Sequence, residues 1–249
     1  MPQEIQPNKT VSIIIPTLNE EAGIQRTIRK IPAQKIQSLG FNLEILVIDG
    51  KSTDLTAEYA TQAGAKIITE EQKGYGAACR TGLSASKGEI LVILDGDGTY
   101  PVELTSEYVE HLIENNLDFL TINRLSNTEN GSLSFTHLVG NKVLSAVMNL
   151  LFSINVKDSQ SGMYLMTRRF AESIKLSSDG YGMAQEIKII AFSFFKASEV
   201  DGKYYKRNGD AKLQTYRDGL KNLIYLFKFK SLLNQSVTKN SPPIIQKEN

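Results

Sequence analysis

The sequence predicts an α/β fold in which a doubly wound, mostly parallel sheet carries helices on both faces. Three observations lead there. Val11-Ser12-Ile13-Ile14-Ile15, Leu43-Glu44-Ile45-Leu46-Val47-Ile48 and Ile90-Leu91-Val92-Ile93-Leu94 are apolar, β-branched runs of strand length. Each stops at a turn former, at Pro16, at Asp49-Gly50 and at Asp95-Gly96 respectively. The segments between them repeat their apolar residues at helical spacing.

Taken in order, the first run is a strand, and Glu20 to Ser38 carries Ile24, Ile28 and Ile31 at the spacing of a helix. The second run is again a strand, which makes a parallel crossover unit. Thr53 to Ala63 is a helix, Ala65 to Thr69 a short strand, Tyr75 to Ser86 a helix and Ile90 to Leu94 a strand. After about Asn123 the rhythm changes. Leu125 to Phe135 reads as a polar loop, His137 to Phe152 as an apolar helix, and Asp158 to Arg168 as a loop running into a short strand. Ala184 to Lys196 is helical, Ala197 to Val200 a strand, Tyr204 to Lys212 a basic loop and Arg217 to Leu233 the last helix. With no internal repeat, the expected organisation is a flexible N-terminus at residues 1–9, a single domain at 10–233 and a disordered tail at 234–249.

Composition narrows the function. With 41% apolar residues and seven prolines, 249 residues suffice for a sizeable core. Twenty-eight Lys and Arg against 27 Asp and Glu leave no global basic field, so nucleic acid is not an expected partner. One cysteine, Cys79, and two histidines argue against a disulfide framework and a Cys/His zinc site; a metal here would be held by oxygen. Met1 to Thr10 lacks an apolar signal core, and Val143 to Val156, interrupted by Ser and Asn, falls short of the roughly 20 residues of a spanning helix. The expectation is a cytoplasmic protein.

In open parallel sheets ligands bind beyond the carboxyl ends of the strands, and the acidic residues collect there. Asp95-Gly96-Asp97-Gly98 follows the third run directly, with two carboxylates on a glycine-softened turn. Hard oxygen ligands of this kind suit Mg²⁺ or Mn²⁺ bridging a diphosphate, although Asp and Gly also make ordinary surface turns. Asp49 ends the second run, where a carboxylate can grip a nucleoside, whereas Asp54 reads as a helix cap. In the basic loop, Arg207 and Lys212 flank Gly209 and could fold over a phosphate or remain solvated. The last helix interleaves Leu220, Leu223, Ile224, Phe227 and Leu232 with Lys221, Lys228 and Lys230, a composition that suits core packing or a membrane interface.

Four ordered motifs together resemble family 2 glycosyltransferases. They are Ile13-Ile14-Ile15-Pro16-Thr17-Leu18-Asn19-Glu20, Val47-Ile48-Asp49-Gly50-Lys51-Ser52-Thr53-Asp54, Lys73-Gly74-Tyr75-Gly76-Ala77-Ala78 and Leu94-Asp95-Gly96-Asp97-Gly98-Thr99-Tyr100-Pro101. The nearest subgroup is the polyprenyl-phosphate sugar synthases similar to dolichyl-phosphate mannose synthase. Asn123-Arg124, Asp158-Ser159-Gln160-Ser161-Gly162 and Arg207 to Lys212 resemble its second-half motifs, with Glu186 in the helix where the family has an acid. Gly50 and Thr99 depart from the pattern, and so does Ala211.

The resemblance implies a GT-A fold, with residues 10–123 as the nucleotide-sugar half and 124–233 as the acceptor half. It implies donor contacts from Pro16, Thr17, Asn19, Glu20, Asp49, Lys73, Gly74, Asp95, Gly96, Asp97 and Arg124. Asp95 and Asp97 would hold Mg²⁺ or Mn²⁺, and Arg207 and Lys212 would join them in catalysis. Acceptor contacts would come from Arg124, Asp158, Ser161, Gly162, Glu186 and Arg207. The implied reaction is an inverting transfer of a hexose from GDP-mannose or a UDP-glucose-type donor to polyprenyl or dolichyl phosphate. It would take place at the cytoplasmic face of a membrane, with peripheral attachment that is direct or through an anchoring partner protein. A soluble sugar or protein acceptor, which would need Asp158 or Glu186 as base, a nucleotidyltransferase and a non-catalytic binding module are the rival readings.

Overall fold

The computed structural model describes residues 9–207 and 215–237. Its strands are β1 (Thr10–Thr17), β2 (Asn42–Asp49), β3 (Lys66–Thr69), β4 (Ile90–Ile93), β5 (Phe119–Thr128), β6 (Tyr164–Thr167) and β7 (Ala197–Tyr204). They form one sheet in the order β3-β2-β1-β4-β6-β5-β7. Only β6 runs antiparallel, against β4 and β5. The α/β sheet expected from the sequence is therefore present, with one reversed strand inserted between its two halves.

Helices cover both faces: α1 (Ile24–Arg29), α2 (Ala33–Ser38), α3 (Thr56–Gln62), α4 (Tyr75–Ala85), α5 (Thr105–Glu114), α6 (Phe135–Phe152), α7 (Arg168–Ser173), α8 (Gly182–Phe194) and α9 (Thr215–Val237). The pleat divides the core. Ile13 and Ile15 of β1 face a cluster with Ile24, Ile28 and Val109, while Ile14 faces the other with Leu46, Ile48 and Cys79. α4 lies close on the second face because Gly82 has no side chain: a β-carbon there would overlap Cγ2 of Ile14. Gly82→Ala should cost about 1–3 kcal/mol, the usual penalty of overpacking, read from urea denaturation.

Several elements differ from the sequence expectation, each for a local reason. The single helix expected over Glu20 to Ser38 is two, because Pro32 has no N–H to donate and keeps Ile31 out of helical geometry. Residues 125–128, expected in a loop, extend β5, since β7 runs on to Tyr204 and pairs with it past an irregularity between Asn123 and Asn127. α6 begins at Phe135 because the Ser134 hydroxyl caps it, accepting from the His137 N–H at 3.2 Å. α9 continues to Val237, past the expected end at Leu233 and into the expected tail. Leu226, Phe229 and Leu233 form its buried face, and of the stripe singled out in the sequence Leu220, Ile224, Phe227 and Leu232 are exposed and Leu223 half-buried.

Candidate active site

The carboxyl ends of β1, β2 and β4 meet at one edge. Thr17 pairs with Asp49 across β1 and β2. Asp49 is buried, and its carboxylate accepts from the Ser52 N–H at 3.1 Å and the Ser52 hydroxyl at 2.5 Å. Asn19 stitches the two loops together: its N–H donates to Ser52 Oγ at 2.8 Å, and its Oδ1 accepts from the Thr53 N–H at 2.8 Å. It holds a left-handed φ of 53°, a conformation asparagine tolerates better than most residues. Asp54 lies one residue before the N-cap, Leu55, and its carboxylate accepts from the Thr56 N–H at 3.0 Å.

The Asp95–Gly98 turn is threaded between these loops and the second half of the chain. Gly96 and Gly23 allow the close approach. A β-carbon on Gly23 would stand 2.8 Å from the Gly96 carbonyl oxygen, and one on Gly96 would stand 3.0 Å from Cγ2 of Thr17. The Thr27 hydroxyl donates to the same Gly96 carbonyl at 3.1 Å. Asp97 is buried, and its Oδ1 accepts from the Thr99 N–H at 3.1 Å and the Thr99 hydroxyl at 2.7 Å. On its other oxygen sits Arg207, whose Nη1 is 2.6 Å from Asp97 Oδ2 and whose Nη2 is 2.5 Å from Glu20 Oε1. Asp95 keeps some exposure but is largely enclosed by protein. Burial and the neighbouring Asp97 raise its carboxyl to about 7, against the pull of Arg124 and Arg207.

These residues fit a hard divalent cation, with a condition. Among the described residues no three His, Cys, Asp or Glu side chains stand together as a ligand set. Asp95 and Asp97 would supply two carboxylates, and phosphate oxygens and water would complete the shell, the usual arrangement for Mg²⁺. The guanidinium already seated on Asp97 marks the position as one that favours positive charge. Beside Arg207 opens a cavity of about 510 Å³ lined by Arg26 of α1, Lys30 at its C-terminal cap, Gly98, Glu129, Tyr205 and Lys206. The ammonium groups of Lys30 and Lys203 lie 5.3 and 5.1 Å from the Tyr205 ring centre.

The remaining expected residues are placed as walls. Arg124 and Asp158 form a buried bidentate pair, Nε to Oδ2 at 2.7 Å and Nη2 to Oδ1 at 2.9 Å. Glu186 is buried, its carboxylate taken by the N–H groups of Ser177 and Ser178 and the Ser177 hydroxyl at 2.8–2.9 Å. Ser161 is buried too, and Gly162 abuts the Asp95 carboxylate. Lys73 is exposed and Gly74 opens α4 against the 178–179 segment. Lys212 lies outside the described residues. The sequence reading did not find Tyr100, Lys188 or Glu199, which hold the 157–162 loop. The one signal was a pair of charges, Glu186 and Lys188, inside the otherwise apolar run of α8.

The family model described as glycosyl transferase family 2 matches residues 12–174. The low-salt glycan biosynthesis hexosyltransferase Agl6 of Haloferax volcanii is 31% identical over 222 residues, covering 87% of this chain and 53% of that protein. The chain thus spans about half the length of that relative. The dolichyl-phosphate hexose transferase of the same organism is 27% identical over 212 residues, covering 84% of this chain and 89% of that protein. In fold the chain is similar to the crystal structure of glucosyl-3-phosphoglycerate synthase from Mycobacterium tuberculosis in complex with Mn²⁺, uridine-diphosphate-glucose and phosphoglyceric acid. That TM-score is 0.70 at 21% identity, covering 91% of this chain and 82% of the other.

Proposed function

The chain belongs to glycosyl transferase family 2 and is a glycosyltransferase of GT-A fold, and from that premise we propose that it moves a hexose from a nucleotide-sugar to a polyprenyl or dolichyl phosphate with inversion. The observation that carries this reading is the Asp95-Gly96-Asp97 turn beyond β4, with the Arg207 guanidinium bridging Asp97 and Glu20. The name of the dolichyl-phosphate relative supports the acceptor class, and the Mn²⁺ and uridine-diphosphate-glucose of the structural neighbour support the donor class.

Asp49 and Thr17 form the floor for the nucleoside, and Asp95 and Asp97 would hold Mg²⁺ or Mn²⁺. When bound, such a cation supplies positive charge to the leaving diphosphate. Arg207 releases Asp97 and Glu20 and turns to the donor phosphates, a bidentate partner of matching geometry. The basic cavity beside it is open to an anionic acceptor. A phosphate nucleophile is already ionised near neutral pH and needs no general base. That agrees with the state of the two acids of which a soluble-sugar acceptor would need one as base: Asp158 and Glu186 are both buried, with their oxygens engaged inside the protein.

The membrane enters through α6 and α9. Phe135 is 79% exposed and Leu150 83% on α6, which packs against α9, and α9 exposes Leu220, Ile224, Phe227 and Leu232 with Lys221, Lys228 and Lys230 interleaved. An apolar face with flanking cations suits a peripheral position on an anionic cytoplasmic leaflet. No helix among the described residues is long and apolar enough to cross a bilayer. Incubation of the chain with Mn²⁺, polyprenyl phosphate and a radiolabelled GDP- or UDP-hexose tests the reading. Label extracted into organic solvent supports it. Label confined to water-soluble glycan, or release of pyrophosphate without sugar transfer, replaces it with one of the rival enzymes.

A further inference from the structure

Lys188 is wholly buried in the middle of α8, and its ammonium donates to the carbonyl oxygens of Ser161 at 2.7 Å and Asp158 at 3.1 Å. On the opposite side of the same loop Glu199 of β7 accepts the N–H of Lys157 at 2.8 Å and of Asp158 at 2.9 Å. A lysine and a glutamate side chain thus grip one loop by its carbonyls and its amides. With the buried pair Arg124 and Asp158 they form a group of four ionisable side chains, in which Lys188 is wholly buried and Glu199 half-buried. Stability alone does not account for such a group, because apolar residues of similar volume serve as well or better where charges must be desolvated. Fixing the backbone does account for it, since charge-assisted bonds are short and directional.

What the loop delivers is Gly162. Its N–H donates to Tyr100 Oη at 2.5 Å, and a β-carbon on it would stand 2.9 Å from Oδ2 and 3.1 Å from Oδ1 of Asp95. The loop backbone is therefore the wall against which the Asp95 carboxylate rests. We propose that Lys188, acting with Glu199, is a positioning residue that sets Gly162 and through it the orientation of Asp95 in sugar transfer. This rests on the reading of Asp95 as a ligand of the metal-diphosphate.

The test uses the full chain with Lys188→Met and with the charge-balanced Lys188→Met/Glu199→Gln. Expected for both variants is Mn²⁺ binding to the nucleotide-loaded protein weakened about tenfold, read from the electron-paramagnetic-resonance signal of free Mn²⁺, and kcat lowered about 10- to 100-fold. Metal-free nucleotide affinity, measured by calorimetry, should stay within about twofold of wild type, since the Asp49 floor is untouched. Should Lys188→Met fail to fold, the double variant decides. Wild-type Mn²⁺ affinity and kcat in a folded variant, or recovery of kcat together with Tm in the double, overturns the proposal. A wild-type chain that binds no nucleotide-sugar overturns the reading of the site instead, which keeps the two failures apart.

Discussion

An Asp97→Ala chain should transfer sugar about 10³-fold more slowly than the wild type, a loss of about 4 kcal/mol in transition-state stabilisation, while remaining folded. Asp97 supplies one of the two carboxylates beyond β4 and is the group on which Arg207 rests at 2.6 Å. On the proposed reading its removal would take away half of the protein's contribution to the cation and unseat the guanidinium that would meet the phosphates. The turn itself should survive. The Gly96 carbonyl stays anchored by the Thr27 hydroxyl, and Gly23 and Gly96 keep their close packing. Donor affinity by calorimetry with and without Mn²⁺ separates the effects: the wild type should gain affinity with metal, and Asp97→Ala should gain none. Full transfer activity in this variant removes the mechanism.

The parts of the molecule legible in the sequence are those whose signal is local. β1, β2 and β4 declare themselves through nearly continuous apolar runs, broken only by Ser12 and Glu44, because strands covered on both faces need little polar alternation. The Asp95–Gly98 turn was legible for the same reason, since its position depends only on where β4 stops. By contrast, Arg124 and Asp158 are 34 residues apart, Lys188 and Asp158 30, and Glu199 and Asp158 41. Nothing near any one of them in sequence reports its partner. The resemblance brought Arg124 and Asp158 forward as ligand contacts, and geometry sets them against each other as a buried pair. α5 escaped notice because its apolar face, Tyr108, Val109 and Leu112, is interleaved with Glu107, Glu110 and His111, which dilutes the periodic signal.

That buried pair carries the second large effect, on stability. Arg124→Met should destabilise the chain by about 3–5 kcal/mol, the cost of leaving one member of a buried ion pair without its partner. Asp158 is 0% exposed and Arg124 8%. The carboxylate accepts from Arg124 through Nε, Nη2 and the backbone N–H, and from the Gln160 N–H at 3.1 Å. Burial alone would raise the Asp158 carboxyl, yet the Arg124 charge and its bidentate bonds hold it below the ordinary carboxylate value. Because the folded value is depressed, this group stabilises the fold above the unfolded carboxylate range, and the contribution is lost as pH falls through the folded value. Arg124→Met should therefore remove stability at pH 7 and flatten the acid limb of the stability curve. Adding Asp158→Asn to it should restore a large part of the loss, since the stranded charge is gone. Urea denaturation of the two single variants and the double gives the coupling energy directly. Additive losses, with no recovery in the double, would mean that the pair is not the unit holding this loop. In that case Arg124 would return to the role the resemblance first implied, a cation turned toward the donor.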